Sequence, residues 1–301
     1  MAKYIRGLVS AIITTHNRKE LLIKAIRSVL SQTYTNIECI VIDDASDDGT
    51  EEYISQFVSD GVSYRYIPKN ETKGGNYARN LGILLARGEF IAFLDDDDEW
   101  LPTKIEKQVA QLSEKKGFVY CGRVFEYDGD INNISYEDIK NPKYKEGDLS
   151  REVLVHVIGV TSTILVRHSL IDDVGYFDEQ LKAWQEYDLS IRLLQITEVA
   201  LVRENLIIYR VQNKDKNRNT NNVLKWVESS DTVERKYADL FERLSKKDKA
   251  RHKLYKCIDG YNRAKNSTNT SIKFRYLFKA IFDPRVLLVA IEKKLYPERG
   301  L

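Results

Sequence analysis

The apolar positions of the first hundred residues fall into short blocks that alternate between two spacings. Residues 8–14 (Leu-Val-Ser-Ala-Ile-Ile-Thr) are a continuous β-branched run of a strand's length. Leu22, Ile26, Val29 and Leu30 then recur at helical spacing, with Asn17 placed to cap that helix. A second strand is predicted over residues 38–42, ending in Asp43-Asp44, and a helix follows Ser46-Asp47-Asp48-Gly49-Thr50. Residues 62–67 read as a third strand. Gly74-Gly75 precedes a helix over about 77–87, and a fourth strand over 90–94 runs into Asp95.

Strands and helices that alternate through short connections predict right-handed βαβ units, hence an α/β protein with a mostly parallel central sheet flanked by helices. Ligands in such sheets bind beyond the carboxyl ends of the strands. Three of those ends are polar here: residues 14–17, Asp43-Asp44 and residues 95–98. Past residue 115 the alternation loosens. A strand is predicted over 117–127, a polar loop over 128–150, a strand over 163–167, a short amphipathic helix over 186–196, and helix from about 223 onward. The organisation expected is a domain over 1–222, divided near residue 115, and a basic helical extension over 223–301.

Composition narrows the class. Of 301 residues, 43% are hydrophobic and 31% charged, which suits a globular protein with a real core. Cys39, Cys121 and Cys257 are too few and too scattered for a disulfide framework or a zinc site, and they fit a reducing compartment. No run approaches the ~20 apolar residues that span a bilayer, and no secretory signal is visible. The expected location is cytoplasmic, or peripheral at the inner face of the cell membrane.

Charge is unevenly placed. Residues 1–224 carry 28 Lys and Arg against 35 Asp and Glu, whereas residues 225–301 carry 19 against 10. The basic C-terminal segment suggests an anionic partner such as a membrane surface, or simply a solvated helical face. No recognisable nucleic-acid module accompanies it. Within it, residues 271–296 mix apolar and basic side chains, and Asp283-Pro284 breaks them into two helices. These helices suit an interfacial seat on anionic lipid, packing on the preceding domain, or a homodimer contact.

The most informative stretch is Phe93-Leu-Asp-Asp-Asp-Asp-Glu-Trp-Leu-Pro102. Four adjacent carboxylates repel one another unless solvated or neutralised by a cation. At the end of a buried strand, with Asp43-Asp44 on a neighbour, a hard divalent ion suits them, Mg²⁺ or Mn²⁺ bridging carboxylates to substrate phosphates. Asp95 and Asp97, two apart on an extended segment, point to the same side. Asp96 and Asp98 are left to bind sugar hydroxyls or to cap the helix near Pro102.

Residues 9–18 (Val-Ser-Ala-Ile-Ile-Thr-Thr-His-Asn-Arg), 28–34 (Ser-Val-Leu-Ser-Gln-Thr-Tyr), 40–50 (Ile-Val-Ile-Asp-Asp-Ala-Ser-Asp-Asp-Gly-Thr), 78–82 (Ala-Arg-Asn-Leu-Gly) and the acidic run occur in the order seen in inverting family-2 glycosyltransferases of the GT-A fold. Residues 174–179 and 184–193 extend this resemblance to about residue 210. It implies a nucleotide-sugar donor, most often a UDP-sugar, bound with its metal in the first half. A glycan or lipid-linked glycan acceptor of bacterial surface polysaccharide synthesis would be bound in the second. By position, Thr14, His16, Asn17 and Arg18 line the nucleotide site. Asp44 accepts from the uracil imide, and Asp43 shapes the turn or meets the ribose. Arg79 reaches the nucleotide or its phosphates, or else orders the acidic loop. Asp95 and Asp96 face the donor, and Asp97, with Asp95, holds the metal. Glu186 matches the family's catalytic base, where relatives often carry Asp, with Asp188 as the alternative; Trp184 and Gln185 line the acceptor pocket. Relatives often place a His two residues after the equivalent of Arg210, where this chain has Gln212 at the start of a polar run. A nucleotidyltransferase would need a glycine-rich, basic phosphate loop after the first strand, which is absent. A non-catalytic sugar-nucleotide or glycan-binding protein would have no need of Glu186.

Overall fold

The computed structural model describes residues 3–141, 143–211, 222–266 and 269–295. Gln212 and the polar run that follows it, to residue 221, lie outside the described residues.

The first half is the expected α/β alternation: β1 (Ile5–Thr15), α1 (Lys19–Leu30), β2 (Ile37–Asp44), α2 (Thr50–Ile54), β3 (Val62–Ile67), α3 (Gly75–Leu85) and β4 (Gly88–Asp95). The strands lie side by side in the order β3-β2-β1-β4, all parallel. Period-two alternation along β1 sends Ala11 and Ile13 to one face, onto Leu22 and Ile26 of α1, and Ile12 to the other, onto Ala78 and Ile83 of α3. Helix α3 comes unusually close. A Cβ on Gly82 would sit 2.4 Å from Ile12 Cγ2, so the glycine of the 78–82 motif is a packing requirement.

The second half adds β5 (Glu99–Trp100), α4 (Lys104–Val109), β6 (Lys116–Tyr127), β7 (Asp130–Tyr136), β8 (Leu165–Arg167), α5 (His168–Val174), α6 (Gln185–Leu193) and β9 (Glu198–Val211). Antiparallel pairs now mix into the sheet. The path runs on as β4-β8-β6-β9-β5, with β7 beside β6. Strands β5, β7 and β9 and helix α5 were not read from the sequence. Residues 130–136 form a strand, not part of a polar loop, because Asp128 and Gly129 take the positive φ values (53° and 77°) of a tight hairpin turn. Strand β9 escapes a periodicity reading because its apolar runs are broken at Arg203-Glu204-Asn205, where its pairing with β6 shifts register.

Helices α7 (Val223–Lys236), α8 (Ala238–Glu242), α9 (Lys246–Asn266), α10 (Thr270–Ile281) and α11 (Pro284–Leu295) complete the chain, with the break at Asp283-Pro284 as expected. The extension shares the core of the preceding domain. Trp226, Cys257 and Tyr276 are buried in one cluster with Phe93, Trp184 and Tyr187. All three cysteines are free and buried.

Candidate active site

A cleft of about 1370 Å³ opens at the carboxyl ends of β1, β2 and β4. It gathers Thr14, His16, Asn17, Arg18, Asp44, Arg79, Asp95, Asp96 and Asp97 from the first half with Trp184, Gln185 and Glu186 from the second. Asp43 and Asp188 are not among its lining residues.

At one end, the loops after β1 and β2 are tied together. Asn17 adopts φ 53°, its N–H donates to Ser46 Oγ (2.8 Å), and its Oδ1 accepts from Asp47 N–H (2.7 Å). It therefore does not cap α1; Asp48 Oδ2 takes the N–H of Lys19 instead, at 3.1 Å. His16 Nδ1 lies 2.5 Å from the backbone oxygen of Asp44, so the ring and Asp44 share one edge of the cleft. The Asp44 carboxylate accepts from the Thr72 hydroxyl through one oxygen. Asp43 turns inward, accepting from Ser46 N–H (2.9 Å) and the Tyr64 hydroxyl (2.8 Å), and so shapes the turn. The first turn of α3 (Gly75, Asn76) faces the same space, and a helix N-terminus favours anionic groups.

Two arginines from outside the acidic run pair with it. Arg79 pairs with Asp95 at 2.6 Å. Arg18 reaches Asp96 (3.1 Å) and Asp97 (3.4 Å). Asp96 is buried and accepts from the Thr15 hydroxyl at 2.8 Å. Burial, opposed by Arg18 and aided by the charge of Asp97, raises its pKa to about 6. Asp98 is fully buried beneath the loop, accepting from Ser162 Oγ (2.6 Å) and Arg210 N–H (3.2 Å). It caps no helix; the N-cap of α4 is Thr103. Among the described residues no three metal-ligating side chains cluster. Asp95 and Asp97 nevertheless line the cleft, and two carboxylates suit a Mg²⁺-like ion that completes its shell with phosphate oxygens and water.

Opposite stands Trp184, buried and left-handed at φ 58°, a costly conformation for a bulky residue. Its ring meets Tyr187 and Trp226 edge-on and stacks on Tyr255, while Nε1 donates to Asp259 of α9. The chain then enters α6, with Glu186 half-buried in its first turn and in no ion pair among the described residues. Burial raises the Glu186 carboxyl above the ordinary range; the cations of Arg263 and Arg79 pull it back and Asp95 pushes it up. Asp188 is fully buried away from the cleft lining, held by Arg192 (2.7 Å), Lys236 (2.8 Å) and the Tyr237 hydroxyl (2.7 Å). Arg192 in turn donates to the carbonyls of Val174, Gly175 and Tyr176, so Asp188 fixes the 174–179 segment against α6.

Helix α9 also lines the cleft with Arg251, Tyr255 and Arg263, which the sequence did not single out. Its apolar spacing marks a buried face but does not say that the face lies against Trp184.

A parallel half-sheet whose strand tips hold carboxylates, joined to a mixed half-sheet carrying a second acidic group, defines the GT-A class of α/β transferases. Residues 10–175 match the model of Glycosyl transferase family 2. The chain belongs to this family and is a glycosyltransferase. An uncharacterised glycosyltransferase of Rickettsia typhi is 33% identical over 246 residues, 80% of this chain and 74% of that protein. The UDP-Glc:alpha-D-GlcNAc-diphosphoundecaprenol beta-1,3-glucosyltransferase WfaP of Escherichia coli is 40% identical over 128 residues, 42% of this chain and half of its own length. Among solved structures, the mannosyltransferase PcManGT from Pyrobaculum calidifontis in complex with GDP-Man and Mn²⁺ superposes with a TM-score of 0.62. It is 16% identical, with 98% of this chain and 83% of that one covered, and shares the fold.

Proposed function

We propose that this protein moves a sugar from a UDP-sugar to a hydroxyl of a glycan or lipid-linked glycan acceptor in bacterial surface polysaccharide synthesis, with inversion at the anomeric carbon. The observation that carries this reading is the placement of Asp44, Asp95, Asp97 and Glu186 on the walls of one cleft. The relative WfaP, named for a UDP-Glc donor and a diphosphoundecaprenol-linked acceptor, supports the donor and acceptor classes.

In this reading His16 and Asp44 hold the uracil, and the N-terminal turn of α3 faces the diphosphate. Asp97 with Asp95 would hold a divalent ion, which when bound supplies positive charge to the leaving diphosphate. Arg79 and Arg18 fix those carboxylates in place. Glu186 takes the proton of the acceptor hydroxyl as its oxygen bonds to the anomeric carbon. The bond from that carbon to the diphosphate oxygen breaks on the opposite face, and its electron pair leaves with the diphosphate. A single base and no enzyme nucleophile give inversion, the logic that separates the two classes of glycosidases. A raised pKa makes Glu186 a stronger base than a solvated glutamate, and among the described residues no ion pair occupies it.

The direct test is a panel of nucleotide sugars with Mn²⁺, read as thermal stabilisation and as slow donor hydrolysis. UDP-sugars are expected to stabilise the protein above the effect of Mn²⁺ alone. No response to any nucleotide sugar would remove the reading.

A further inference from the structure

The outer surface of α10 and α11 lies apart from the catalytic machinery and combines two features. Phe274, Phe278 and Phe282 follow one another at four-residue spacing, with ring centroids 6.1 and 5.7 Å apart and stacked. They are 47%, 50% and 75% exposed, and Leu288 of α11 is 66% exposed. The opposite sides of the same helices are anchored: Tyr276 is buried against Trp226, and Val286 and Val289 pack on Ala250 and Leu254 of α9. These helices are therefore held in place while presenting an exposed apolar face.

The second feature is a recess of about 450 Å³ at the corner between the two helices, lined by Lys253, Lys279, Phe282, Asp283, Pro284 and Arg285. Three cations there face one carboxylate. Asp283 is occupied by Lys253 (2.6 Å) and Arg285 (3.5 Å), and Lys279 has no carboxylate partner among the described residues. Burial first, then the neighbouring charges of Arg275 and Lys256, hold the Lys279 ammonium below its usual range. The corner thus carries uncompensated positive charge directly beside the most exposed phenylalanine.

We propose that α10 and α11 seat this protein on an anionic phospholipid surface, with the phenylalanine row entering the acyl boundary and the Lys279–Arg285 corner taking a headgroup phosphate. Basic side chains beside an aromatic face are the pattern of helices that lie in a membrane interface. No described helix is long and apolar enough to cross a membrane, so the seat is superficial. A second copy fits this face poorly. A two-fold contact would set Arg275, Lys279 and Arg285 against the same positive patch. Val289 of α11 and Ile258 of α9 line the cleft, so it is the packed side of these helices, not the exposed phenylalanine face, that reaches the cleft wall.

The test is co-sedimentation of the full chain with vesicles of phosphatidylcholine alone or mixed equally with phosphatidylglycerol. The protein is expected to sediment with the mixed vesicles, and salt should weaken the association. Phe278→Ser with Phe282→Ser, and separately Lys279→Glu with Arg285→Glu, should each lower vesicle affinity about tenfold or more. Thermal midpoint and UDP binding should not change. Equal binding to both vesicle types, or full binding by both variants, would overturn the proposal. So would light scattering that shows a dimer dissolved by the phenylalanine substitutions in a protein that ignores vesicles.

Discussion

The indole Nε1 of Trp184 donates to Asp259 Oδ2 at 3.2 Å, joining the residue before α6 to a helix 75 positions further along the chain. Arg263 holds the other oxygen of Asp259 at 2.9 Å. The left-handed backbone of Trp184 persists because its ring is enclosed by Tyr187, Trp226 and Tyr255, with its one polar atom satisfied.

Asp259→Ala should therefore loosen the start of α6 and lower kcat by roughly tenfold, about 1.4 kcal/mol of barrier, with donor KM little changed. Asp259→Asn keeps an acceptor for the indole and should recover most of that loss. Steady-state kinetics on both variants check this; equal kcat in wild type and Asp259→Ala would show that the bond does not position Glu186.

Glu186→Gln should nearly abolish transfer while leaving UDP binding intact, because the amide cannot accept the hydroxyl proton. Desolvation raises this carboxyl, so the wild-type rate should climb with pH through a midpoint above the ordinary glutamate value of about 4.3. The residual rate of the variant should lack that limb. A pH–rate profile of kcat/KM decides it.

Lys104 gives a stability prediction independent of function. It is fully buried, bonded to Gln108 Oε1 at 2.8 Å, and its pKa is lowered to about 8 by desolvation. Between about pH 8 and 10.5 the unfolded chain binds a proton that the folded chain has lost, so stability rises with pH there. The charged form costs about 3 kcal/mol below that window. Lys104→Met should remove this slope between pH 8 and 9.5, measured by urea unfolding.

Gly82→Ala should destabilise the fold by about 1–3 kcal/mol, since the added methyl meets Ile12 Cγ2 at 2.4 Å. Denaturant melts measure it, and an unchanged midpoint would mean that α3 can withdraw from the sheet freely.

The first half was legible because strand, turn and helix signals there are local and agree with one another. Asp43 and Asp44 come from one strand end, and adjacency on β2 sends Asp43 inward to Tyr64 and Asp44 to the cleft. What stayed hidden depends on distant pairing. Asn17 looked like a cap because nothing local shows that Ser46 and Asp47 claim it. Asp188 looked like a second base because its partners Lys236 and Tyr237 lie some fifty residues further on. The Asp128-Gly129 pair was a readable hairpin signal that the polar composition around it masked.

The central claim is that the strand-tip aspartates and a divalent ion together hold a nucleoside diphosphate. Calorimetric titration of UDP with and without Mn²⁺, on wild type and Asp97→Ala, tests it most directly. The expected result is UDP binding that Mn²⁺ tightens by about tenfold or more in wild type, and a gain that disappears in Asp97→Ala. UDP binding that ignores Mn²⁺, or an undiminished metal-dependent gain in Asp97→Ala, would contradict the account.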